Sequence, residues 1–158
     1  MQCKERLEAY LRDNGVEFTT HHHPEAFTAQ EVAATEHVSG YRLAKVVMVR
    51  AGDDLAMTVL PAPARVDLEQ LGGVVSGGEP RLASEDEFAP RFPDCEAGAM
   101  PPFGNLYEVS VYVDDSLAEQ ETIVFEAGTH SDTMSLRFED FKRLVQPRVA
   151  SFAVHRPP

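Results

Sequence analysis

Two apolar runs around a tight turn constrain this chain most. Leu43 to Arg50 is rich in β-branched residues, Gly52-Asp53-Asp54 has turn chemistry, and Leu55 to Leu60 returns as a second run. Such a pattern predicts an antiparallel hairpin. Further strands are expected at Val16–His22, Glu108–Val113, Thr122–Glu126, Thr133–Phe138 and Val149–Val154. Residues 3–13 read as an amphipathic helix, with Cys3, Leu7, Tyr10 and Leu11 on one face and Gly15 as its stop. Capping boxes at Thr28-Ala-Gln-Glu31 and Ser84-Glu-Asp-Glu87 open two short helices, the first running to His37. Asp67 to Leu71, closed by Gly72 and Gly73, and Glu139 to Val145 are two more. Short strands mixed with short helices imply one α+β domain over residues 1–158, built on a mixed sheet.

Charge and composition exclude several classes. The net charge is −12, and a platform gripping a long stretch of nucleic acid would be basic, because phosphate neutralisation drives such binding. A pocket for one or two terminal nucleotides stays open. Apolar runs fall far short of the ~20 residues that span a bilayer, so no membrane partner is expected. Met1 to Arg12 carries charge throughout, which argues against a signal peptide. Cys3 and Cys95 are far apart and form neither a disulfide framework nor a CxxC site. That usage fits a reducing compartment and a cytoplasmic location.

Three segments could carry chemistry. Lys45 lies inside the apolar strand Ala44–Val49, sharing a face with Val47 and Val49 while Val46 and Met48 take the other. Burying its ammonium is costly without a partner or a cleft, and a lysine snorkelling from a sheet edge is the alternative. The loop Gly98-Ala99-Met100-Pro101-Pro102-Phe103-Gly104 sets two prolines between two glycines. It can aim backbone N–H groups at an oxyanion, or serve as a rigid connector. Phe125-Glu-Ala-Gly128-Thr-His130 ends a strand with a glycine turn and a histidine able to position a substrate, shuttle a proton or pack. In His21-His22-His23 at most His21 and His23 converge, and no further donor completes a metal site nearby. Nucleophile elbows, P-loops and dinucleotide fingerprints are absent. Cys95 paired with His130 or His155 would make a thiol-dependent hydrolase of small esters; a buried, inert Cys95 is the other reading.

Together, His23-Pro24, Thr28-Ala-Gln-Glu-Val-Ala33, Lys45 opening its strand, Gly98 to Pro102 with Phe103-Gly104, and Ala127-Gly128-Thr-His130 resemble one family in the right order. The chain resembles the YbaK-type aminoacyl-tRNA deacylases, relatives of the editing domain of bacterial prolyl-tRNA synthetase. The resemblance implies a mixed, strongly bent, barrel-like β-sheet flanked by short helices, with no metal and no organic cofactor. It implies a trans-editing hydrolase that acts on mischarged tRNA through its 3′ aminoacyl end, with an aminoacyl-tRNA synthetase as a second candidate partner. Lys45 would hold the phosphate or ribose of the terminal adenosine. The backbone of Gly98 to Pro102 would cradle the ester and a water, and His130 would help set aminoacyl selectivity. Thr28, Met48, Leu60, Ala99, Met100, Phe103, Gly104 and Gly128 complete the expected substrate-binding set. Val46, where the cysteine-clearing branch tends to carry a hydroxyl, and the apolar Val47, Met48 and Leu60 point to a small neutral amino acid such as alanine, and tRNA for proline is the expected carrier. A non-catalytic module that binds aminoacyl ends is the remaining alternative.

Overall fold

In the computed structural model, residues 2–23 and 42–155 are described; the capping box at Thr28 lies outside them. The first helix, α1 (Cys3–Asp13), buries Cys3, Leu7 and Leu11, a spacing of four that keeps one stripe on the core. It ends where Gly15 takes a φ of +68°. The central hairpin is β2 (Ala44–Ala51) and β3 (Asp54–Pro61), in the register Lys45↔Leu60 and Met48↔Met57. Gly52, at φ +65°, closes the turn.

The hairpin lies in a five-stranded sheet of order β5-β2-β3-β6-β9, formed with β5 (Pro80–Leu82), β6 (Ser110–Asp114) and β9 (Arg148–Ala150). β2 pairs antiparallel with β3 and β5, whereas β3–β6 and β6–β9 are parallel. A second sheet has the order β1-β8-β7, from β1 (Thr19–His22), β7 (Thr122–Glu126) and β8 (Asp132–Arg137). A two-stranded ribbon joins β4 (Ala64–Val66) to β10 (Ala153–His155). The two larger sheets meet at a parallel bridge between Leu43 and Val124, where the Val124 N–H donates to the Arg42 carbonyl at 3.1 Å.

Short helices fill the connections. α2 (Leu68–Gly72) starts on Asp67, whose carboxylate accepts from the Glu69 and Gln70 N–H groups. α3 (Glu85–Phe88) has both arms of the expected capping box. α4 (Asp115–Ala118) follows β6 directly, and α5 (Phe138–Val145) follows β8.

Alternation along β2 divides the core as the sequence predicts. Ala44 and Met48 face a large cluster with α1, α5 and Phe103. Val49 and Ala51 face a smaller one with Leu60, Leu71 and Phe152. Phe103 anchors the proline-rich loop, its ring 5.6 Å from Phe141, 5.7 Å from Phe125 and 6.3 Å from Tyr10.

Two expectations are corrected. The strand expected over Val149–Val154 is two strands in different sheets. The Asp114 carboxylate accepts from the N–H of both Phe152 and Ala153, at 2.9 Å each, and turns the chain there, while the buried Phe152 side chain plugs the smaller core. The cysteines are also closer than their spacing suggests. The first turn of α1 docks on the Phe92–Gly98 loop, with the Cys3 N–H donating to the Asp94 carbonyl. Cys3 and Cys95 form a disulfide there, with Cα atoms 5.1 Å apart.

Candidate functional site

The seam between the two larger sheets holds a cleft of about 170 Å³, lined by Leu43, Ala44, Lys45, Val46, Gly98, Met100 and Glu126. That is smaller than the ~300–1,000 Å³ typical of pockets that enclose a whole drug-sized ligand. It suits the small end of a large substrate.

Each charged lining residue is placed by strand periodicity. Leu43 is bridged in parallel to Val124. Two residues onward on each strand, side chains return to the same face, so Lys45 on β2 comes abreast of Glu126 at the end of β7. The cleft therefore carries a cation and a carboxyl on adjoining strands.

Gly98 forms the opposite wall at a φ of +84°, a region that favours glycine. Its N–H donates to the Met100 Sδ at 3.3 Å. Thioether sulfur is a weak acceptor, so a carbonyl oxygen entering the cleft competes for that donor on good terms. The loop is held from behind by a short backbone ladder. Glu96 N–H donates to Gly128 O at 2.8 Å, and Gly128 N–H donates to Ala99 O at 2.9 Å. Gly128, at φ +99°, leaves no room for a side chain, since a Cβ there would lie 2.7 Å from the Cys3 Sγ.

His130 stands behind this wall. It is buried, its backbone N–H donates to Glu96 Oε2 at 3.0 Å, and its Nε2 lies 2.9 Å from the Ala97 carbonyl oxygen. Its Nδ1 is 3.5 Å from Glu126 Oε2. Burial, and then the nearby Glu96 carboxylate, push the Glu126 carboxyl up to about 8. Nearby, Asp132 accepts from Thr129 Oγ1 at 2.6 Å and Lys4 Nζ at 3.3 Å, and lies 3.0 Å from His22 Nδ1. Burial alone would raise its pKa; these three partners hold it below the usual value.

Of the residues singled out in the sequence, Lys45, Gly98 and Met100 meet in the cleft. Val46 lines it too, whereas Met48, Leu60, Ala99 and Phe103 are buried in the cores. Leu60 and Val47 share a face of the hairpin with Lys45 but pack into the smaller core, and neither lines the cleft. Pro101 and Pro102 are buried. Gly104 is packed against the Val109 carbonyl, where a Cβ would come within 2.8 Å. Thr28 lies outside the described residues. His21 is exposed, His22 pairs with Asp132 and His23 is buried. Among the described residues the donors close enough to share a metal are Cys3, Asp94 and Cys95, two of which form the disulfide. Cys95 is thus bound to Cys3 rather than presented to His130 or His155. Glu126 is the cleft residue that the sequence reading passes over. It ends its strand beside a glycine turn, where an acidic residue is ordinary and gives no signal of its own.

A mixed α+β domain with a small polar cleft at a sheet seam, one wall made of backbone, is built to hold a compact group by positioning. The chain belongs to the aminoacyl-tRNA editing domain family, which it matches over residues 23–144. It is 27% identical over 153 residues to the multifunctional Ser/Thr-tRNA deacylase ProXp-y of Escherichia coli K12, covering 94% of this chain and 91% of that one. It is 23% identical over 158 residues to the prolyl-tRNA editing protein ProX of Acetoanaerobium sticklandii, covering 96% of each. A crystal structure described as a candidate trans-editing enzyme for prolyl tRNA synthetase superposes with a TM-score of 0.85, at 19% identity over 98% of both chains. The α+β fold is that of these editing domains. No helix of the described residues is long and apolar enough to cross a membrane.

Proposed function

We propose that this chain is a trans-editing hydrolase, a single domain over residues 1–158 that cleaves the ester joining a wrong amino acid to the 3′ end of tRNA. The observation that carries the reading is the cleft at the Leu43–Val124 seam, which gathers Lys45, Gly98, Met100 and Glu126 around a space fit for one aminoacyl group. Lys45 holds the phosphate or ribose of the terminal adenosine as a point charge. The Gly98 N–H, resting on a weak sulfur acceptor, turns to the ester carbonyl and stabilises the oxyanion that develops on it. A water adds to that carbonyl carbon, the bond to the ribose oxygen breaks, and the departing oxygen takes a proton. A reactive ester needs little more than such positioning. A free hydroxyl of the terminal ribose helps to activate the water. His130 contributes by fixing the wall on which Gly98 sits.

The acidic surface fits a protein that grips only the 3′ end, with net charge −12 opposing any extended hold on the tRNA body. Delivery by an aminoacyl-tRNA synthetase would supply what the surface does not. Relatives named for Ser/Thr-tRNA and prolyl-tRNA support a small amino acid carried on tRNA for proline as the substrate. Such substrates favour a cytoplasmic location, a compartment in which a disulfide such as Cys3–Cys95 is uncommon. No metal or organic cofactor enters the proposed steps.

Deacylation of a panel of mischarged tRNAs, with the wild type and a Lys45→Ala variant side by side, tests the reading. Release of a small amino acid by the wild type, at least about 10-fold faster than by the variant, is expected. Binding of the panel without release would define a recognition module instead.

A further inference from the structure

The cleft is polarised, and its acidic side has no task in the steps above. Its described lining consists of apolar side chains, the Gly98 backbone, one cation and one carboxyl, Glu126. Every unblocked aminoacyl ester brings an α-ammonium one carbon from its carbonyl. An ammonium in a small, partly dry cleft is costly unless a carboxylate receives it.

The spacing across the wall suits this pairing. A Cβ on Gly98 would lie 3.6 Å from the His130 Cε1, and the Nδ1 of the same ring is 3.5 Å from Glu126 Oε2. Gly98 and the Glu126 carboxyl thus flank the same imidazole, one beside its Cε1 and the other beside its Nδ1. A carbonyl held at Gly98 can point its neighbouring ammonium toward Glu126, while Lys45 lines the same cleft from the adjoining strand β2. The side chain of Glu126 is only 14% exposed, so little water competes for it.

We propose that Glu126 is a specificity-determining residue that receives the α-ammonium of the bound aminoacyl group. The proposal rests on the deacylase reading for the identity of the substrate and adds a selection rule to it. Free aminoacyl ends are accepted, and ends whose amine is acylated, such as peptidyl or N-acetylated ends, are refused. The orientation follows as well, with the acyl group pinned by its amine and the amino-acid side chain left to the apolar lining of Leu43, Val46 and Met100. Burial and Glu96 disfavour the charged form of Glu126 in the empty cleft, so an arriving cation is what makes that form favourable.

The test uses 3′-aminoacylamino-3′-deoxyadenosine, an amide that cannot be cleaved as an ester, and its N-acetyl derivative. Binding is measured by calorimetry at about pH 6.5, where the α-amine is charged. The wild type is expected to bind the free amine about 10- to 100-fold more tightly, the range of one charge-assisted hydrogen bond. Glu126→Gln, which keeps shape and removes charge, should bring the two compounds within about 3-fold of each other. Equal binding by the wild type, or binding of neither compound, overturns the proposal. The wild-type result alone suffices if the variant fails to fold. Ester hydrolysis of the matching aminoacyl-tRNAs separates the two readings. Ammonium preference without hydrolysis leaves Glu126 in its role and removes the deacylase, and hydrolysis without preference does the reverse.

Discussion

Gly128 and Cys3 are packed so closely that one carbon atom cannot be added between them: a Cβ on Gly128 would sit 2.7 Å from the Cys3 Sγ and 2.8 Å from its Cβ. The same glycine holds a φ of +99° and exchanges backbone hydrogen bonds with the Glu96–Ala99 loop. Gly128→Ala should therefore destabilise the protein by about 2–5 kcal/mol, from backbone strain and overpacking together. Thermal melting should show a fall of at least about 5 °C. In a Cys3→Gly background, which clears both close atoms, the added cost should shrink to the strain alone. Strictly additive losses in that cycle would show that the contact with Cys3 is not the cause.

Lys45 should matter for turnover rather than for folding. It is half-buried at the cleft, not in either core. Lys45→Ala is expected to lower kcat/KM for deacylation about 10- to 100-fold, the worth of one charged contact. Its melting temperature should stay within a few degrees of the wild type. Activity within about 3-fold would remove the lysine from substrate binding.

The loop offers a sharper comparison. A methyl on Gly98 would make an ordinary contact with His130 at 3.6 Å, so the damage comes from the φ of +84° and the shift it forces on the N–H. Single-turnover cleavage by Gly98→Ala should slow about 100- to 1,000-fold, as when one oxyanion donor is lost. Met100→Ala removes the resting acceptor and part of the lining but leaves the donor in place. It should raise KM more than it lowers the rate. Equal, mild effects from both variants would reduce the loop to a connector.

Glu126 gives stability a definite pH dependence. Below its ordinary value of 4.5 the carboxyl is protonated in both folded and unfolded chains and has no effect. Between there and about 8 the unfolded chain loses the proton while the folded chain keeps it, so stability falls as pH rises. Among the described residues, Glu96 and His130 face this carboxyl from the loop and from the turn after β7, and Lys45 on β2 lines the same cleft. Glu126→Gln should flatten the profile, gaining about 3–10 °C relative to the wild type at pH ~8.5 compared with pH ~5.5. Parallel profiles would mean that the carboxyl is not strained by its burial.

What the sequence made legible was local. The β2–β3 hairpin is written in adjacent residues, alternation on either side of Gly52, and the structure reproduces it. The capping box at Ser84 and the helix at Cys3–Asp13 are equally local and equally visible. Lys45 stood out because a charge among Val and Met residues contradicts its surroundings. Glu126 did not, since an acidic residue where a strand meets a glycine turn is ordinary. Its significance arises only when Val124 finds Leu43, far back along the chain. The Cys3–Cys95 disulfide was hidden for the same reason, because 92 positions separate the partners and the docking of α1 brings them together. The split between β9 and β10 depends on Asp114, whose carboxylate reaches a segment 38 residues onward.

The bridge between Leu43 and Val124 also sets when the cleft comes into being during synthesis. The hairpin and Lys45 leave the ribosome early, and the Gly98 loop follows, but the strand Thr122–Glu126 that closes the seam is made late. Contacts between such distant segments form slowly, because the intervening chain must be ordered first. A chain made only as far as Gly104 thus has its lysine and its glycine loop but neither the carboxyl of Glu126 nor the Gly128 contacts that hold the loop. The nascent chain, tethered to the very machinery that consumes aminoacyl-tRNA, acquires a working cleft only when most of its own sequence has been translated.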